Sequence, residues 1–136
     1  MRLLRLIPLF LALFIVYNAL TMTGINLSGQ IFNLHLISGA SWTMSIGDVL
    51  LMIGIFALYV ELVKSTSTQS STMIEHTFSL LVFIGFLIEF IVVKEAATST
   101  FVLLMLMSLL DVMAGFTITV STAMRDVNVV GGVSHL

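Results

Sequence analysis

Residues 101–120, FVLLMLMSLLDVMAGFTITV, are apolar apart from small or hydroxyl side chains and one carboxylate, Asp111. A bilayer-crossing helix needs about 20 such residues, so the stretch reads as a transmembrane span, set at 99–122 once its flanks are included. At about 100° per residue, Thr100, Leu104, Ser108, Asp111, Gly115, Thr119 and Thr122 share one face, and the other faces are Leu, Met, Val, Ile and Phe. That small, polar stripe should face protein instead of lipid. Asp111 stands near the middle of the span. Insertion there costs a carboxylate about 2.5–3.5 kcal/mol, so an intramembrane Asp demands either a partner or a task.

Working outward, three further apolar runs give spans over 3–20, 44–63 and 75–94. The chain as a whole is 59% hydrophobic and 9% charged, against roughly 25% charged residues in a soluble domain, and its mean hydropathy is +1.18. The fold class expected is therefore an all-α membrane protein with four transmembrane helices in a single domain. Five crossings do not fit into 136 residues once loops are subtracted. The first run starts with Arg2 and Arg5 like a signal peptide, but no small-x-small cleavage site follows it, which favours a retained span.

The connections differ in kind. An outer loop over 21–43 contains the alternation Ile31-Phe32-Asn33-Leu34-His35-Leu36, a signal for a short β segment paired with Ile25 to Leu27 across Ser28-Gly29. A loop resting its apolar residues on the membrane surface is the competing reading. The linker 64–74 is rich in Ser, Thr and Gln. Lys94 to Thr100 is so short that the third and fourth helices must be antiparallel neighbours. The tail 125–136, with Gly131-Gly132, reads as flexible. Basic residues are retained on the cytoplasmic side. An N-in/C-in topology places Arg2, Arg5, Lys64 and Arg125 inside and only Lys94 outside, with Trp42 as an outer interfacial anchor.

Two more carboxylates lie within spans. Glu89 sits near the outer end of the third, with Gly85 one turn earlier on the same face, placed to snorkel or to meet Lys94. Asp48 follows Ser45 by three residues, the spacing of a capping box. Without capping it would share an outer polar layer with Glu89. Gly47, Gly54 and Glu61 recur every seven residues as a packing seam, and Glu61 with Lys64 reads as a helix-surface ion pair.

Several function classes are excluded. A net charge of -2 and no basic patch set nucleic acid aside. Without cysteine there are no disulfides, thiolate metal sites or iron–sulfur clusters. His35 and His76 fall on opposite sides of roughly 30 Å of hydrocarbon, so they cannot ligate one haem or metal. No catalytic motif is present, no cofactor is expected, and there is no arginine ladder for sensing voltage.

The strings Ser38-Gly39-Ala40-Ser41-Trp42-Thr43, Glu61-Leu62-Val63-Lys64, Ile88-Glu89-Phe90, Ala97-Thr98-Ser99-Thr100-Phe101 and Asp111-Val112-Met113-Ala114-Gly115-Phe116 together resemble a group of small bacterial inner-membrane proteins with four predicted spans and no assigned activity. The resemblance implies the architecture and a multi-pass bacterial inner membrane location. The function expected is a structural or accessory subunit, packing with copies of itself or with other membrane subunits in the lipid bilayer. The alternative is a small proton- or ion-coupled transporter or channel using Asp111 with Glu89.

Overall fold

A computed structural model describes residues 6–66 and 72–133 of the chain. Among these residues the protein is mainly helical: α1 spans Leu9–Met22, α2 Ile46–Thr66, α3 Thr72–Val92 and α4 Ser99–Val133. Two strands, β1 Gln30–His35 and β2 Ser41–Ser45, lie between α1 and α2, and one 3-10 turn, Lys94–Ala96, joins α3 to α4. The helices α2, α3 and α4 are each long and apolar enough to cross a membrane. The helix α1 is apolar but has 14 residues, about 21 Å at 1.5 Å per residue, so it is shorter than the expected span over 3–20. Pro8, extended immediately before Leu9, sets its start. Proline lacks an N–H and is tolerated only at the first turn of a helix.

Of the four helices, α4 makes the most extensive contacts, packing against α2 and α3, while α1 lies chiefly on α2. The buried positions explain this. On α4 they are Phe101, Leu104, Ser108, Asp111 and Gly115, and on α2 Gly47, Leu50, Gly54, Ala57, Glu61 and Ser65. Spacings of three and four residues place such side chains on one seam, as in coiled-coil-like bundles. A Cβ on Gly47 would come within 2.6 Å of Thr100 Oγ1, and one on Gly54 within 2.9 Å of both Leu104 and Met107. The missing side chains are what let α4 approach, with α2 and α4 running parallel. An aromatic layer fills the middle: Phe14 meets Phe86 edge-on at 4.9 Å, and Phe101 stacks at a tilt on Tyr17 and Phe86 at 4.9 and 5.2 Å.

The strand at Gln30–His35 forms where the alternation placed it, but its partner is Ser41–Ser45 instead of Ile25 to Leu27. The physical reason lies in the turns. Asn26 and Gly29 close a turn of their own, in which Asn26 Oδ1 accepts the Ser28 N–H and the Asn26 carbonyl accepts the Gly29 N–H. The reversal that pairs the strands is Leu36–Ala40, with Gly39 at φ 85°, a left-handed conformation suited to glycine. Trp42 accordingly lies in a strand, and α2 begins at Ile46, later than the expected 44.

The start of α2 leaves no early N–H unpaired. Ser45 Oγ accepts the Asp48 N–H and Asp48 Oδ2 accepts the Ser45 N–H, a reciprocal capping box. The Gly29 and Leu27 carbonyls accept the Ile46 and Gly47 N–H groups. Two other boundaries differ from expectation. Helix extends into both ends of the linker 64–74, to Thr66 and from Thr72, leaving 67–71 outside the described residues. In the tail from 125, helix continues through Val133, with Val127, Val129 and Val130 exposed on it.

Candidate functional site

At the end of the bundle remote from the β-hairpin, polar groups from all four helices converge. Glu61 is on the α2 seam with Gly47 and Gly54, so its side chain is driven under α4 and only 6% of the residue is exposed. Its Oε1 accepts the Leu9 N–H at 2.7 Å and lies 3.3 Å from Lys64 Nζ. Leu9 opens α1, and the first N–H groups of a helix have no partner within it. A carboxylate there satisfies one of them and faces the positive end of the helix dipole. The pair read as a surface ion pair is thus half a buried cap. Ser65 Oγ, one turn on, donates to the Glu61 carbonyl at 2.9 Å.

Asp111 is 4% exposed. Ser79 of α3 is within hydrogen-bonding reach of its carboxyl, and among the described residues Glu61 and Lys64 are near enough to act on it electrostatically. Ser108, almost one turn earlier, is buried beside it. Gly115, one turn later, carries the His76 ring: a Cβ there would collide with the imidazole. His76 Nε2 is buried with no hydrogen-bond partner among the described residues, and Glu61 and Glu75 face the ring. Thr119, half-buried, turns its hydroxyl back to the Gly115 carbonyl at 2.9 Å. The structure therefore brings Asp111, Ser108, Gly115 and Thr119 together with three groups not assigned to the site from sequence, Glu61, Ser79 and His76.

Glu89, Gly85 and Asp48 lie elsewhere. Glu89 is ten residues beyond Ser79 on α3, about 15 Å along the axis, and Phe86 and Phe101 are fully buried between the two levels. Its Oε2 accepts from Asn18 Nδ2 at 3.0 Å. Beside it the Tyr17 hydroxyl donates to the Glu95 carbonyl at 2.8 Å. Thr98 Oγ1 accepts the Phe101 N–H at 3.2 Å and lies 2.6 Å from the Tyr17 oxygen, to which its own proton is then free to go. No atom lies within 4 Å of a Cβ built on Gly85. Asp48 is committed to its cap.

Chemically, among the described residues the node holds two buried carboxylates, one lysine, one imidazole and three serine hydroxyls. Two open grooves on the surface, one lined by Phe90, Thr98 and Leu103 and one by Leu13, Phe56 and Val60, include none of these side chains. Among the described residues no three His, Cys, Asp or Glu side chains are grouped so as to hold a metal.

Fold and site together define a small helical bundle, three of whose helices can cross a membrane, locked by a buried polar node. Compared with protein-family models, curated proteins and solved structures, the chain has no match.

Proposed function

We propose that the protein is a multi-pass structural or accessory subunit of the bacterial inner membrane, acting by helix packing in a homo-oligomer or a larger membrane complex. Four spans with both termini cytoplasmic fit the positions of the basic residues, Leu3 to Ile7 extending the apolar run of α1 in sequence. The observation that carries the reading is the length of α4. Its 35 residues measure about 52 Å, well beyond a hydrocarbon core of about 30 Å. From Leu104 to Gly115 the polar stripe of α4 is buried against α2 and α3. Its opposite stripe, Met113, Phe116, Val120, Met124 and Val127, is exposed throughout and runs three turns past Gly115, the last buried position among the described side chains. Such a projecting apolar helix fits a neighbouring subunit. Mass measurement in a mild detergent tests this: the expected result is an oligomer or a co-purifying partner, and a strictly monomeric chain ends the reading. Because the chain has no cysteine, Met124→Cys gives a clean readout for a homo-oligomer, a disulfide-linked dimer on mild oxidation.

A second reading, proton or ion transfer through Asp111, is favoured by the burial of two carboxylates in the node. Among the described residues, two buried carboxylates, Glu61 and Asp111, lie in the field of Lys64, and an intramembrane carboxylate pair is a place for a proton or cation. Glu89 is outside that route, beyond the aromatic layer. Flux into liposomes, lost in Asp111→Asn, is the expected signature; absence of flux in the unaltered protein ends it.

A further inference from the structure

The β-hairpin is sharply two-faced. Its register pairs Phe32 with Met44 and Leu34 with Trp42 on one face, and Asn33 with Thr43 and His35 with Ser41 on the other. On the polar face His35 Nδ1 and Ser41 Oγ are hydrogen-bonded at 2.9 Å. On the apolar face Phe32, Leu34 and Trp42 are exposed, and Ile37 at the tip is fully exposed. From Gly24 to Ser45 there is no Asp, Glu, Lys or Arg. Strand β2 runs without a loop into α2, whose first N–H groups are held by the Leu27 and Gly29 carbonyls, so the hairpin is fixed at the outer end of that helix.

We infer that the apolar face of this hairpin docks on the lipid interface of the outer leaflet, as a two-stranded plate lying along the membrane surface. The inference rests on the reading of α2 to α4 as membrane spans. Position supports it, because the plate is continuous with a helix that enters the bilayer. Composition supports it too: a surface with no charge and one Trp suits the headgroup–acyl boundary, where aromatic residues concentrate, whereas protein surfaces that recognise partners by charge would need complementary groups. The free edges of a two-stranded sheet set the depth. Their unpaired backbone groups need water and cannot enter hydrocarbon, so the plate stays at the boundary with its polar face outward.

Trp42 is the only tryptophan, so fluorescence of the full chain in phosphatidylcholine vesicles reads this face directly. Flotation of the protein with the vesicles is checked first, and failure to float overturns the membrane reading and the docking with it. In floating protein, Trp42 emission is expected to be blue-shifted and quenched by lipids brominated near the headgroup end of the chain, more than by lipids brominated near the methyl end. Quenching by aqueous iodide alone overturns the docking while leaving the spans intact. Shielding from both quenchers also overturns it, since a second copy or another protein then covers the face. In the variant Trp42→Phe with Thr43→Trp the reporter moves to the polar face, where iodide is expected to reach it; equal quenching of both positions by brominated lipid overturns the two-faced arrangement.

Discussion

The bundle is tied at two levels, and the two ties are built from different materials. Near the hairpin, Tyr17, Asn18, Thr98 and Glu89 make direct hydrogen bonds between partly buried groups, most of them uncharged, and two use a backbone carbonyl. At the opposite end the tie is made of carboxylates, Glu61 and Asp111, among the most buried polar groups described. The difference follows from packing. Charged groups are tolerated where small residues bring helices close enough to surround them with partners, and Gly54, Ser65, Ser79, Ser108 and Gly115 supply that closeness. The tie near the hairpin is packed against bulky aromatics instead, with Tyr17 itself fully buried among them. Asn18 and Tyr17 need only one or two bonds each.

If the tie remote from the hairpin is the stronger, breaking it should cost more. Glu61→Ala strips the Leu9 N–H and Lys64 of their shared acceptor, and the expected loss is about 3 kcal/mol, the upper range for hydrogen bonds to a charged group, read by SDS-titrated unfolding in micelles. Gly115→Ala drives a methyl into the His76 ring, an overpacking worth about 2 kcal/mol in the same assay. At the tie near the hairpin, Tyr17→Phe removes the hydroxyl shared by Glu95 and Thr98 and should cost about 1 kcal/mol. Gly85→Ala is the control for the glycines: with open space around it, the change should stabilise by about 0.5–1 kcal/mol through helix propensity, and a loss would show that this face is covered in the assembled protein. The smallest effect expected is the coupling between the ties. Leu9 and Tyr17 are eight residues apart on α1, about 12 Å, so Glu61→Ala and Tyr17→Phe should add to within about 0.5 kcal/mol. A larger coupling would mean that the aromatic layer transmits between the two ends.

Much of this was legible in the sequence, and the reasons are specific. Three helices, each long and apolar enough to cross a membrane, follow from hydropathy runs, and the Ser45–Asp48 cap follows from its spacing. The α4 seam follows from period: Ser108, Asp111 and Gly115 share one face whatever covers it. The seven-residue recurrence of Gly47, Gly54 and Glu61 already carried the signal that would have drawn Glu61 from the surface into the site. His76 and Ser79 had no comparable signal, being single polar residues on a helix whose buried face is set by its neighbours.

What the sequence by itself determined about this protein is therefore where the long apolar helices lie and which face of α4 turns inward, because both follow from local hydropathy and periodicity. Only the tertiary structure decided which inward faces meet. Period says that Glu61 and Asp111 each lie on a seam, but the two are fifty residues apart in the chain, and nothing local specifies that α2 and α4 run parallel in the register that sets them face to face. The same holds for the hairpin: alternation defines a strand and leaves its partner open, and the left-handed Gly39 in the Leu36–Ala40 turn makes the choice.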